Sequence, residues 1–296
     1  MSMKYIDMYL EYLKIERKYS DKTIISYKDD LIEYNEFLLN NFTNILSISS
    51  EISYKYMKYL YDRGITKSSI SRKLSSIRGL YNYLIREDIT KDNYFNNISN
   101  PKREKYLPKF LKDSELEKLF SVCNDDTPIE QRDTLIIELL YATGIRVSEL
   151  VNIKIKDINR KEKLIKVLGK GNKERIVIYN NHTKKALDTY LKDGYNYFNK
   201  KSSEYLILNK NGNKLSERYI REIINKKVSQ ASLDIKISPH TLRHTFATDI
   251  LENGMDLMTV KELLGHESLN TTSIYTHITN EQIKKTYNLA HPRAKK

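Results

Sequence analysis

A loss of helical periodicity between Asn93 and Pro108 constrains the fold of this 296-residue chain more than any other feature. The segment is polar and basic and contains two prolines, which is typical of a linker rather than of a packed element. We therefore expect residues 1–92 and 109–296 to form separate domains, joined by a basic linker at 93–108. Each domain is long enough to bury its own core, and a short linker would let the two close around a rod-shaped partner.

The first domain has the pattern of four amphipathic helices and almost no strand signal, since apolar residues recur at three- and four-residue spacing. The predicted helices are Tyr5–Ile15, Ile24–Leu39, Ile52–Leu60 and Ile70–Ile85. The fourth helix carries basic residues beside its apolar stripe, and these either meet phosphates or form a solvated face. They are Lys67, Arg72, Lys73 and Arg78.

The second domain combines helices with a β-hairpin. The β-branched runs Lys163–Val167 and Glu174–Ile178 flank a glycine-rich tip that must accept positive φ. A third short strand is predicted at Tyr205–Leu208, and the rest is predicted to be helical. We therefore expect a mainly α protein with a small β-sheet, in which an all-helical domain precedes a mixed α/β domain. The final amphipathic segment, residues 281–290, docks either on its own domain or on a neighbouring protomer.

Positive charge is concentrated in the second domain. The whole chain carries a formal net charge of +13, of which residues 1–100 contribute only +2 and residues 101–296 contribute +11. Such an excess favours a polyanionic partner, above all nucleic acid, although a solvated basic surface is the alternative.

Composition also excludes several classes of protein. The single cysteine, Cys123, excludes an internal disulfide and a cysteine-based zinc cluster. The sequence has neither a run of 18 or more apolar residues nor the apolar core of a signal peptide, so we expect a cytoplasmic protein without a membrane anchor.

Four short motifs carry residues suited to phosphoryl transfer. Two guanidinium groups can hold the non-bridging oxygens of a phosphodiester, histidines can bond the same oxygens or move a proton, and a tyrosine hydroxyl can attack phosphorus. Neither a metal nor another cofactor is needed for this chemistry. The candidate residues are Arg146, Lys170, His240, Arg243, His266 and Tyr275.

The sequence around His240 predicts where this histidine and Arg243 lie. Ser238 and Pro239 are typical of a helix start, so both side chains would share one face of a first helical turn, where free N–H groups favour an anion. A zinc pair formed by His240 and His244 is the alternative. We expect no metal site, because the general-base glutamate of the zincin pattern is absent and no third ligand motif is evident.

These motifs resemble those of the tyrosine recombinases, also called the phage-integrase family, and most closely the Xer branch. The resemblance rests on Ala142-Thr-Gly-Ile-Arg-Val-Ser-Glu-Leu, Gly169-Lys-Gly-Asn-Lys-Glu-Arg, His240-Thr-Leu-Arg-His-Thr-Phe-Ala-Thr and Leu264-Gly-His-x-x-Leu-x-Thr-Thr-x-x-Tyr-Thr-His. It covers nearly the whole chain. It implies a SAM-like helical domain that binds the core DNA site, followed by a catalytic domain with a C-terminal helix exchanged between protomers.

The resemblance implies a covalent mechanism. Tyr275 would attack a DNA phosphate, forming a 3′-phosphotyrosyl bond and freeing a 5′-hydroxyl that then attacks the partner duplex. Arg146 and Arg243 would stabilise the pentacoordinate transition state, and His266 would donate a hydrogen bond to the same oxygens.

The remaining roles concern proton transfer and support. Lys170 would protonate the departing 5′-oxygen, and His240 would act as general base on Tyr275. Glu149, one turn from Arg146, would orient that arginine or another catalytic group.

The implied partner is double-stranded DNA with inverted half-sites, bound by a homo- or hetero-tetramer. The implied function is a site-specific recombinase that resolves dimers in the manner of Xer enzymes. An integrase or transposase of a mobile element, a type IB topoisomerase-like enzyme and a catalytically idle DNA-binding protein are the alternatives.

Overall fold

The computed structural model describes residues 2–102, 110–169, 173–265 and 280–294, without the side chains of 280–283. The chain divides into two compact units, Met1–Tyr106 and Leu107–Lys296. In the described ranges no helix is both long enough and apolar enough to cross a lipid bilayer.

Four helices form the described part of the first unit, and all four were predicted from the sequence. They are α1 (Ser2–Ile15), α2 (Asp21–Asn40), α3 (Ser50–Asp62) and α4 (Lys67–Arg86). Hydroxyl caps define the starts of α2, α3 and α4, as at Ser20, whose side chain accepts from the backbone N–H of Thr23. Buried aromatic rings fill the centre of this unit, where the hydroxyls of Tyr34 and Tyr81 lie 3.0 Å apart.

The first residues of the expected linker pack on this unit. Phe95 is fully buried and Ile98 is nearly so. The Nε of Arg78 donates to the carbonyl of Phe95 at 2.9 Å, and another of its nitrogens donates to the carbonyl of Ile98. Residues 93–98 therefore pack on the core of the helical unit. The burial of two apolar side chains is enough to anchor this short segment, although no apolar periodicity surrounds them.

Basic residues of α4 make ion pairs within the unit, although Lys67 and Arg72 remain exposed. Lys73 is buried and its Nζ lies 3.1 Å from a carboxylate oxygen of Asp30 and 3.1 Å from one of Glu33. Arg72 also pairs with Asp30. Asp30 is almost fully buried, and a carboxylate in that position needs cationic partners.

In the second unit the described residues form nine helices and one sheet. The helices are α5 (Asp113–Ser121), α6 (Pro128–Thr143), α7 (Val147–Leu150), α8 (Asn181–Thr189), α9 (Tyr195–Phe198), α10 (Glu217–Gln230), α11 (Pro239–Glu252), α12 (Leu257–Leu264) and α13 (Asn280–Ala290). A π-helical turn, Tyr190–Gly194, joins α8 to α9. Helix α6 is the central element of the unit's core, because it is buried without a break from Leu135 to Thr143 and is therefore covered on all sides.

The sheet is antiparallel with the order β1 (Ile158–Asn159), β2 (Leu164–Leu168) and β3 (Glu174–Ile178). The predicted hairpin is thus confirmed as β2 and β3. The expected third strand at Tyr205–Leu208 is wrong, since this segment makes only single bridges and Ile158–Asn159 takes the edge of the sheet. Residues 206–208 are fully buried, and that burial explains the apolar pattern that predicted a strand.

The C-terminal helix α13 packs on its own unit in this single chain. Tyr287 is buried and its hydroxyl donates to the carbonyl of Ala142 at 2.9 Å. His291 follows the helix and is fully buried against the rings of Tyr141, Phe246 and Tyr287. Of the two docking arrangements left open by the sequence, the isolated chain has the one within its own domain.

Candidate active site

The start of α11 places two predicted site residues as the sequence indicates. Ser238 caps the helix by accepting from the backbone N–H of Thr241 at 3.1 Å, and Pro239 occupies the first turn. His240 is exposed, whereas Arg243 is only 7% exposed. Spacing of three residues puts both on the same side of the helix.

The carbonyl groups at the ends of two helices fix the guanidinium of Arg243. Its Nη1 donates to the carbonyl of Gly144 at 2.5 Å, just beyond α6, and its Nη2 donates to the carbonyl of Leu264 at 2.6 Å, at the end of α12. Burial, followed by the charge of nearby Arg146, lowers the pKa of Arg243 to about 10. The group stays protonated near neutral pH and is held rigidly.

Arg146 reaches the same region from the start of α7. Gly144 has a left-handed φ of 58°, and a side chain there would strike the ring of Phe246, so a glycine turns the chain from α6 towards Arg146. The Nη1 of Arg146 lies 2.8 Å from Oε1 of Glu149, and its Nη2 donates to the carbonyl of Gly265 at 3.3 Å. Its side chain remains 35% exposed.

Glu149 is a buried carboxylate between two arginines. It accepts from the backbone and side chain of Arg146, and from both terminal nitrogens of Arg175 at 2.8 Å each. Burial raises the pKa of Glu149, but the hydrogen bonds from Arg175 and Arg146 outweigh burial, so the pKa lies below its ordinary value. The role that we expected for Glu149 in orienting Arg146 fits this geometry.

Three of the six predicted site residues line one cleft of about 200 Å³. Its walls contain Arg146, His240 and Arg243, together with Arg221 from α10. Sequence reasoning missed Arg221, for which the only signal was the excess of positive charge in the second domain. A cleft lined by three guanidinium groups and the N-terminal turn of a helix is suited to bind a phosphate.

The other three predicted residues, Lys170, His266 and Tyr275, lie outside the described residues. The hairpin that carries Lys170 is described up to Gly169, whose N–H donates to the carbonyl of Lys173 at 2.7 Å. Helix α12 is described up to Gly265, which ends it with a left-handed φ of 62°.

His244 packs as an apolar residue. Its ring meets that of Phe110 edge to face, with 6.3 Å between the ring centroids. Burial and then the proximity of His240 lower the pKa of His244. Among the described residues, no group of three or more His, Cys, Asp and Glu side chains could hold a metal ion.

Both halves of the chain match known family models. Residues 109–282 match the phage integrase family, and residues 6–88 match the phage integrase N-terminal SAM-like domain. Tyrosine recombinase XerC of Staphylococcus haemolyticus (strain JCSC1435) is 44% identical over 288 residues, which cover 97% of both chains. Tyrosine recombinase XerC of Staphylococcus aureus (strain JH9) is 43% identical over 290 residues, 98% of this chain and 97% of that relative.

Solved structures resemble the chain as well. The XerH site-specific recombinase bound to palindromic difH substrate in a post-cleavage complex is 26% identical, with a TM-score of 0.71 over 90% of this chain and 79% of that one. A lambda integrase tetramer bound to a Holliday junction has the same TM-score, 0.71, at 20% identity, over 91% of this chain and 75% of that one, which concerns the fold alone. The chain therefore belongs to the phage integrase family, the tyrosine recombinases, and its activity is site-specific DNA recombination.

Proposed function

We propose that this recombinase cuts DNA by attack of Tyr275 on a backbone phosphate, and that it rejoins the ends through a 3′-phosphotyrosyl intermediate. The observation that carries the proposal is the convergence of Arg146 and Arg243 on one cleft beside His240. One arginine is buried and rigid, and the other is half exposed. Such a pair can hold both non-bridging oxygens of the phosphate as their charge grows in the transition state.

Two side chains carry the proton transfers. His240, exposed in the cleft, acts as general base on the hydroxyl of Tyr275. Lys170, which follows Gly169 in the sequence, protonates the departing 5′-oxygen, and His266 donates a hydrogen bond to the phosphate. The reaction needs no external reagent, because the phosphodiester bond that is broken is replaced by a phosphotyrosyl bond of similar energy. No cofactor is consumed.

Arg221 extends the cleft towards a neighbouring phosphate. Its side chain is about half exposed, and its nearest carboxylate, that of Glu217, is 3.5 Å away. An exposed guanidinium at the wall of an anion site adds affinity for DNA rather than chemistry.

The biological role that we propose is resolution of chromosome dimers in the manner of Xer recombinases, within the cytoplasm. Identity of 43–44% to XerC proteins over nearly the whole chain supports this role over integration of a mobile element. The proposed partner is duplex DNA with inverted half-sites, held by four subunits of this chain or of this chain and a paralogue. XerH was solved bound to a palindromic substrate, which supports that architecture.

A strand-exchange assay tests this function. An inverted-repeat site selected by the protein from a random duplex pool is placed on two linear duplexes of different length. The proposal predicts recombinant products whose lengths combine the two parents, without ATP or a divalent metal. Relaxation of supercoiled DNA without recombinant products would instead identify a topoisomerase-like enzyme.

A further inference from the structure

Arg175 lies on β3, behind the residues that line this cleft, and 14% of its side chain is accessible. Among the arginines of this region, only Arg243 is less exposed. Arg175 does not line the cleft itself. Its two terminal nitrogens bind both oxygens of Glu149 at 2.8 Å, and its Nε donates to the carbonyl of Leu263 at 3.2 Å. All three nitrogens of the guanidinium are therefore committed to other elements of the domain.

The side chain of Arg175 also packs closely against two glycines, Gly169 and Gly265. A Cβ atom on Gly169 would lie 3.4 Å from Nη1 of Arg175, and a Cβ on Gly265 would lie 3.1 Å from its Cζ and Nε. Gly169 immediately precedes Lys170 in the sequence, and Gly265 immediately precedes His266. The same planar group thus abuts the last described residue before each of two proposed catalytic side chains.

A third link runs from Arg175 to Arg146. Glu149 accepts from both arginines, and the carbonyl of Gly265 accepts from Nη2 of Arg146. Without Arg175, the buried carboxylate of Glu149 would have Arg146 as its cationic side-chain partner. Arg146 would then be held more tightly by Glu149 and would be less available to an anion in the cleft.

We infer that Arg175 is a positioning residue for DNA cleavage, which sets Arg146, Gly169 before Lys170, and Gly265 before His266 in one fixed arrangement. The inference rests on the proposed function, because it concerns the placement of residues to which that function assigns roles. Only arginine meets the geometry: a lysine keeps the charge but concentrates its donors on one nitrogen, where the guanidinium spreads three nitrogens across a plane.

The test compares Arg175→Lys with Arg160→Lys, a matched control. Arg160 also pairs through two nitrogens with one carboxylate, that of Asp188, at 2.9 and 2.6 Å, but it lies on the surface away from the cleft. Single-turnover cleavage of a nicked suicide duplex bearing the selected site, half-site affinity and the melting temperature are measured for each variant. We expect Arg175→Lys to cleave roughly 10- to 100-fold more slowly, with half-site affinity and melting temperature close to those of Arg160→Lys.

A double-mutant cycle with Glu149→Gln separates positioning from general destabilisation. If Arg175 acts through Glu149, the two substitutions together should slow cleavage by clearly less than the product of their separate effects. Wild-type cleavage by Arg175→Lys, fully multiplicative effects, or a loss of affinity and melting temperature in proportion to the rate would each overturn the inference. Failure of the proposed function has a different signature, since Tyr275→Phe would then still form the covalent adduct.

Discussion

At the scale of single residues, the cleft is lined by guanidinium groups that differ in how firmly they are held and in how exposed they are. Arg243 is tied to two backbone carbonyls, whereas Arg146 shares a carboxylate and keeps an exposed face. The C-terminal carbonyls of α12 meet both, and the negative end of a helix dipole stabilises cations there. The site therefore holds its positive charge in place before any phosphate arrives.

Replacing Arg243 by lysine tests whether cleavage needs a guanidinium that is fixed by two backbone carbonyls. A lysine cannot reach both carbonyls and a phosphate together, so cleavage should fall by a factor corresponding to roughly 3 kcal/mol, about a hundredfold or more. Arg218→Lys is the control, because Arg218 is fully solvent-facing on α10. Cleavage rates are read on the suicide duplex and folding by thermal melting. Equal rates for the two variants would remove Arg243 from the site.

His291 makes stability depend on pH. Burial, together with the charge of Arg293, lowers the pKa of His291 from 6.5 to about 3, so between these values the unfolded chain binds a proton that the folded chain excludes. Stability must then fall on acidification, by about 2 kcal/mol between pH 7 and pH 5 from this residue. Glu138 acts in the opposite direction, because burial raises its pKa to about 7 despite Arg293, and this contribution to stability is lost as pH rises towards 7.

The substitution His291→Phe isolates the first effect, since it keeps a ring among Tyr141, Phe246 and Tyr287 without a titrating group. Urea unfolding at pH 7 and pH 5 should show the wild type losing about 2 kcal/mol relative to the variant. Parallel pH dependence of the two proteins would mean that His291 is protonated in the folded state or titrates normally.

Sequence motifs could predict the residues of the cleft but not their supports. Arg146, His240 and Arg243 stand in readable local patterns, namely a glycine turn and a capped helix start. Arg175 and Arg221 are ordinary cations until the chain folds, because Arg175 pairs with a carboxylate 26 residues away and Arg221 reaches the cleft from a different helix than Arg146 or His240. Long-range ion pairs leave no periodic trace in a sequence.

At the scale of elements, the helices and the hairpin follow from apolar periodicity and caps, while short edge elements do not. The two-residue strand β1 is too short to carry a pattern, and the buried segment 206–208 imitates a strand. Similarly, Phe95 and Ile98 stand alone in a polar stretch and gave no sign of their place in the helical core.

Helix α13 offers a matched pair of substitutions. Tyr287 is buried in a cluster with Phe246 and Ile250, whereas Leu289 on the same helix is 63% exposed. Tyr287→Ala should therefore lower the stability of the isolated protein by roughly 3–5 kcal/mol, and Leu289→Ala should leave it within about 0.5 kcal/mol. Denaturant unfolding at low protein concentration measures both.

The exchanged arrangement implied by the family resemblance predicts a different outcome for the same pair. If α13 docks mainly on a neighbouring protomer, Tyr287→Ala leaves the monomer as stable as Leu289→Ala does, and weakens cooperative loading of a second half-site in a gel-shift titration. That result would contradict docking within the domain as the state of the free protein.

At the scale of the whole molecule, the excess of positive charge and the cleft lie in the same domain. The second domain holds nearly all of the net positive charge, and the cleft lined by Arg146, His240 and Arg243 lies in that domain. In the first unit, whose charge is nearly balanced, the buried Lys73 is paired with the carboxylates of Asp30 and Glu33. Composition thus predicted the class of partner, although it could not distinguish cations that meet DNA from those that hold the fold.

The central claim is that Tyr275 becomes covalently joined to DNA in this site. The most direct measurement is denaturing electrophoresis of the protein after incubation with a nicked suicide duplex carrying the selected site. The wild type should yield a protein–DNA adduct, and Tyr275→Phe should yield none while binding the half-site with nearly unchanged affinity, since only the attacking oxygen is lost. An adduct formed by Tyr275→Phe would contradict the account.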